Sequence, residues 1–187
     1  MSSYDDKDTV NTDSPLAFLI DDFSRQDGLS RLGTTWQGFT DRVMGGRSVM
    51  EAGRVPDKPG NTFMLRMQGD VSLANHGGFI QVRLPLSPDG RVFDGSTYRG
   101  LSLEVRGKPG KYALHLRTTA NRAPWSYYEA AFPVTEAWSR VSLPFEAFHG
   151  STVFTNHVNP ALLLTLALFA GGKAFQADLS TRWVGFS

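Results

Sequence analysis

Residues 101–117, Leu101-Ser102-Leu103-Glu104-Val105-Arg106-Gly107-Lys108-Pro109-Gly110-Lys111-Tyr112-Ala113-Leu114-His115-Leu116-Arg117, decide the fold. Apolar and polar residues alternate on both sides of a Lys-Pro-Gly break. A period of two places one face of an extended chain against a core and the other toward water. A Pro-Gly pair between such runs is turn chemistry. The same alternation recurs outward from this stretch. Phe63, Leu65 and Met67 are in phase, as are Ile80, Val82 and Leu84, then Tyr128, Ala130 and Phe132, Val141 and Leu143, and Phe175, Ala177 and Leu179. Strands with one apolar and one polar face belong to antiparallel sheets packed face to face. Many short strands with little helix give an all-β chain, a β-sandwich of jelly-roll type.

Residues 159–171 read two ways. Asn159-Pro160 followed by Ala161–Ala170 and Gly171 has the punctuation of a capped helix. It also reads as a buried strand with Leu162, Leu164, Leu166 and Leu168 on one side. The strand is preferred, because Gly171-Gly172 would then form a hairpin into Phe175–Leu179. Helix is otherwise expected only as short turns, as around Phe145–Phe148.

The chain has 187 residues, 19 basic and 18 acidic side chains, four histidines and no cysteine. Its balance is uneven. The first 22 residues carry six aspartates against Lys7, and the remainder carries 18 basic and 12 acidic residues. Residues 1–15 read as a disordered acidic tail, and 16–187 as the folded domain. A net charge of +1 argues against a nucleic-acid partner. No apolar run reaches the roughly 20 residues of a membrane helix, and neither a secretory signal nor a mitochondrial presequence is seen. The expected location is cytoplasmic.

Without cysteine there is no thiol nucleophile or Cys-ligated metal site. No Walker loop, Rossmann fingerprint, G-x-S-x-G elbow or H-E-x-x-H occurs, so no cofactor, catalytic residue or metal site is assigned. His76, His115, His149 and His157 are read as surface or structural groups. Asp21-Asp22 suits a solvated strand start better than a calcium site. No pair of carboxylates stands out for glycoside hydrolysis.

The block Trp36-Gln37-Gly38-Phe39-Thr40-Asp41-Arg42-Val43-Met44-Gly45-Gly46-Arg47-Ser48 is the sharpest local feature. Gly45-Gly46 permits a positive φ, and Asp41 and Ser48 can tie the turn's amides. The same logic fits Asn75-His76-Gly77-Gly78. Either these are structural turns, or Trp36, Asp41 and Arg42 line a binding loop. Arg83, Arg106 and Arg117 fall on polar strand positions. If they share one sheet face, they form a basic stripe near Trp125 and Tyr127, residue types favoured at interfaces. The alternative is a solvated face whose arginines pair with Glu104 and Glu129. Trp36, Trp138 and Trp183 are expected in the core.

These motifs resemble the complex I intermediate-associated protein 30 family. The resemblance runs through Ile20-Asp21-Asp22-Phe23, Asp41-Arg42-Val43-Met44-Gly45-Gly46-Arg47-Ser48, Gly77-Gly78-Phe79, Tyr98-Arg99-Gly100-Leu101 and Val105-Arg106-Gly107. It continues through Lys111-Tyr112, Trp138, Leu143-Pro144-Phe145, Phe148 and Phe175. Lys108-Pro109-Gly110 departs from the family pattern in a turn. The resemblance covers residues 16–187 and implies a galactose-binding-like jelly roll. It also implies a non-catalytic assembly module whose partners are intermediates of respiratory complex I (NADH:ubiquinone oxidoreductase). Without a presequence the chain looks like a bacterial single-domain relative. The alternative is a carbohydrate-binding module with an aromatic-lined site, since the wider superfamily includes many such modules.

Overall fold

The computed structural model describes residues 17–57, 62–151 and 155–187. The tail expected over residues 1–15 lies outside them. The described residues form twelve strands: β1 (Phe18–Asp21), β2 (Gln37–Thr40), β3 (Val49–Asp57), β4 (Thr62–Val71), β5 (Phe79–Pro85), β6 (Gly100–Gly107), β7 (Tyr112–Thr118), β8 (Tyr127–Phe132), β9 (Ser139–Pro144), β10 (His149–Ser151), β11 (Leu163–Gly171) and β12 (Phe175–Phe186). Helical structure among them is confined to short 3-10 turns, one at Phe145–Ala147 where a turn was expected.

All pairings are antiparallel. The first sheet has the order β3-β4-β12-β6-β9. β1 continues beside β12 where β4 leaves off, against Val184–Phe186. The second sheet has the order β10-β8-β7-β11-β5-β2. The inward phase of each strand fills the space between them. Leu101, Leu103, Val105, Leu179 and Phe186 come from one sheet, and Ile80, Val82, Leu84, Leu114, Leu116 and Leu168 from the other. Truncating one such leucine to alanine costs about 2–5 kcal/mol, because transfer and cavity terms add. This is the all-β sandwich that the alternation predicts.

Residues 159–171 combine both sequence readings. The Asn159 side chain accepts from the Ala161 amide at 3.1 Å and opens a 3-10 turn, Pro160–Leu162. The strand follows. Its register against β7 shifts between Leu163 and Thr165. This bulge reverses the inward phase, so Leu163 rather than Leu162 and Leu164 joins Leu166 and Leu168 in the core. The expected hairpin at Gly171-Gly172 is not formed. β11 and β12 lie in different sheets, and this glycine pair carries the chain across the sandwich.

Candidate functional site

The outward phase of the second sheet brings side chains from neighbouring strands together. β7 contributes His115 and Arg117, β8 contributes Tyr127 and Glu129, β11 contributes Phe169, and β5 contributes Phe79 and Arg83. Register fixes their order: His115 lies opposite Glu129 on one side and Ala167 on the other, and Ala167 lies opposite Arg83.

An aromatic ladder crosses these four strands. Tyr127 stacks on His115 with ring centroids 3.9 Å apart and planes 9° from parallel. His115 stacks on Phe169 at 4.2 Å, and Phe169 on Phe79 at 5.9 Å. His115 is only 5% exposed, and its Nε2 lies 2.7 Å from Glu129 Oε2. Burial pushes the imidazole below its usual pKa, and the bond to Glu129 only partly offsets this. The neutral ring therefore donates to a carboxylate that this same bond holds below the ordinary range. Burial, then the charge of Glu129, raises the Tyr127 phenol. Glu129 is the only carboxylate on the six strands of this sheet. These strands thus do not supply the pair that glycoside hydrolysis requires.

Two arginines border the ladder. Arg83 lies over the Phe39 ring at 4.4 Å. Arg117 donates to the Pro124 and Asn121 carbonyls at 2.7 and 2.9 Å, which anchors the loop bearing Trp125. Burial and then repulsion from Arg83 lower the pKa of Arg117, so the two cations feel one another across the face. Trp125 is 64% exposed at the rim.

Of the sequence-derived candidates, Arg83, Arg117, Trp125 and Tyr127 come together here. Arg106 does not. It lies on β6 in the opposite sheet, 3.6 Å from Asp57 and over Trp138. A stripe of Arg83, Arg106 and Arg117 is therefore not formed, because equal strand phase does not mean the same sheet. Trp138 and Trp183 also lie outside the core. Arg106 and Arg182 cover Trp138, and Arg140 covers Trp183. Glu104 pairs with Arg182, and Glu129 with His115.

Trp36 packs against the core edge, and its indole donates to Asp21 Oδ2 at 2.9 Å. It lines a cavity of about 540 Å³ with Asp21, Phe23, Met50 and Arg54. Burial raises the Asp21 pKa, although Trp36 and the Phe23 amide oppose the shift. No cluster of three metal-binding side chains occurs among the described residues. Asp41 is fully buried rather than lining a surface, whereas Arg42 is exposed and donates through Nε to the Ser48 carbonyl at 3.1 Å.

The sequence reading passed over His115, Glu129, Phe79 and Phe169 as site residues. A usable signal was present: His115 shares the outward phase of Arg117, and Glu129 that of Tyr127.

Comparison with known proteins agrees with this architecture. A family 11 carbohydrate-binding module of the cellulosomal cellulase Lic26A-Cel5E of Clostridium thermocellum has a TM-score of 0.69 at 10% identity, over 92% of this chain and 95% of that one. A family 11 module from Clostridium thermocellum in complex with a beta-1,3-1,4-mixed-linked tetrasaccharide has a TM-score of 0.66 at 9% identity, over 91% and 94%. These likenesses show the fold. A UPF0164 protein of Treponema pallidum (strain Nichols) is 26% identical over 156 residues, 80% of this chain but 31% of that protein, so the chain spans less than a third of that relative. No helix among the described residues is long and apolar enough to cross a membrane. The sequence model of complex I intermediate-associated protein 30 matches residues 22–179, and the chain belongs to that family.

Proposed function

We propose that this chain is a non-catalytic assembly module that holds a protein partner, an intermediate of respiratory complex I, on the outer face of its second sheet. Residues 16–187 act as one cytoplasmic unit. The observation carrying this reading is the ladder Tyr127–His115–Phe169–Phe79 bordered by Arg83 and Arg117. Aromatic and arginine side chains with few free carboxylates are the composition of an interface centre. Membership of the complex I intermediate-associated protein 30 family supports this kind of partner. The test is affinity capture from the native cell with the wild-type chain and Arg83→Glu. Complex I subunits should appear with the first and be depleted with the second. Their absence from both eluates would remove the assembly reading.

A second reading is carbohydrate binding, favoured by the exposed Trp125 beside the Tyr127 end of the ladder. Flat rings stack on the CH faces of sugars. Solved modules of this fold include one in complex with a mixed-linked tetrasaccharide. Titration calorimetry with that tetrasaccharide tests it: binding lost in Trp125→Ala supports this reading, and no heat with the wild type rejects that ligand.

A further inference from the structure

Beyond β2, residues 41–48 with the double glycine leave the second sheet and build a distinct surface. Six large apolar side chains are exposed among the described residues, and four of them, Val43, Met44, Val49 and Leu73, belong to residues 43–49 and the neighbouring 72–78 loop. Val43 is 72% and Met44 59% exposed. The two loops are held together. Asn75 Nδ2 donates to the Gly45 carbonyl at 3.2 Å, the Ser72 amide donates to Ser48 Oγ at 2.9 Å, and buried Asp41 binds both segments. Backbone φ is positive at Gly45, Asn75, His76 and Gly78, so the tip has a fixed, tightly turned shape.

Its charge is one-sided. Arg42 and Arg47 are exposed beside the apolar side chains. Residues 42–49 and 71–79 contain no carboxylate; Asp41 is buried and occupied by hydrogen bonds, and Asp70, opposite Val49, marks the acidic boundary. Protruding apolar side chains flanked by arginine and free of acid match the boundary between anionic headgroups and acyl chains. A protein interface would share the arginine and the lack of carboxylates, but its centre favours aromatic anchors over valine and leucine, whereas the exposed apolar side chains here, Val43, Met44, Val49 and Leu73, are all aliphatic. We propose that this tip docks the chain peripherally on an anionic lipid bilayer, with Val43, Met44 and Leu73 entering the interface and Arg42 and Arg47 meeting the headgroups.

Cosedimentation of the full chain with phosphatidylcholine vesicles, with and without phosphatidylglycerol, tests this. Binding should require phosphatidylglycerol. Met44→Asp and Leu73→Asp should each weaken it at least about tenfold, and Arg47→Glu about fivefold or more. Both apolar positions are exposed, so a thermal melt should report folded variants, and Arg83→Glu should leave vesicle binding unchanged. No binding to phosphatidylglycerol vesicles would overturn the proposal, as would binding unaffected by both apolar variants. If Met44→Asp removes a captured protein while vesicle binding persists, the tip is a protein contact and the lipid assignment fails.

Discussion

The Asp41 carboxylate accepts a hydrogen bond from the Ser48 amide at 2.9 Å and another from the Gly78 amide, 37 positions along the chain, at 2.6 Å. Ser48 Oγ and the Phe79 amide add further donors. Burial opposes ionisation of Asp41, but these bonds outweigh it and hold the acid below its usual pKa. One side chain therefore replaces the ladder bonds that neither loop can make. Asp41→Ala should cost about 3 kcal/mol or more, since several buried amides lose their acceptor together. Urea unfolding measures this, and a loss below about 1 kcal/mol would show that the loops hold without it.

The two glycines of the block differ in what they require. Gly45 has φ +87° and open space where a Cβ would stand, whereas a Cβ on Gly46 would enter the Asp41 carboxyl group. Gly45→Ala should cost about 1 kcal/mol through backbone strain, and Gly46→Ala about 1–3 kcal/mol through overpacking. Thermal melts of the two variants give the order; the reverse order would contradict the close approach to Asp41.

Acid should destabilise the fold in two stages. His115 has its pKa lowered on folding, so below its unfolded value of 6.5 the unfolded chain binds the proton first and stability falls. Glu129 and Asp41 also have lowered pKa values, so their contributions are present above 4.5 and 3.8 and are lost as pH falls through the folded values. Asp21, raised by burial, acts in the opposite sense just above 3.8. Urea midpoints across this range should drop between neutral pH and 4.5, and His115→Phe should flatten that first portion. A slope unchanged in the variant would assign the effect to another group.

Arg106 offers a control on the placement of the candidate site. Arg106→Glu removes a cation from Trp138 and Asp57, and should cost about 1 kcal/mol. Capture of a partner by the second sheet should be unchanged, because Arg106 lies on the other side of the sandwich. Equal loss of capture in Arg83→Glu and Arg106→Glu variants would place the partner elsewhere.

Phase was legible in the sequence, but partnership was not. Alternation at Ile80, Val82 and Leu84 or at Leu114 and Leu116 depends only on neighbouring residues, and those strands and their buried faces follow from it. Arg83 and Arg106 share an outward phase, yet whether they share a sheet depends on long-range pairing. Gly171-Gly172 suits either a hairpin or a crossing, so local chemistry could not choose between them. The ladder was hidden for a related reason: Phe79, His115, Tyr127 and Phe169 meet only once four strands have taken their register. Trp138 and Trp183 escaped the usual rule for large aromatics because arginine guanidinium groups cover them from outside.

The position of β12 has a consequence for synthesis. β4 and β6 do not pair with one another, and β12 lies between them and also receives β1. As the chain leaves the ribosome, both strands keep an unpaired edge until the last of the described strands has emerged. Closure of the first sheet is then a late, non-local event of the kind that folds slowly. During that interval the exposed edges of β4 and β6 are where misassembly between nascent chains would begin.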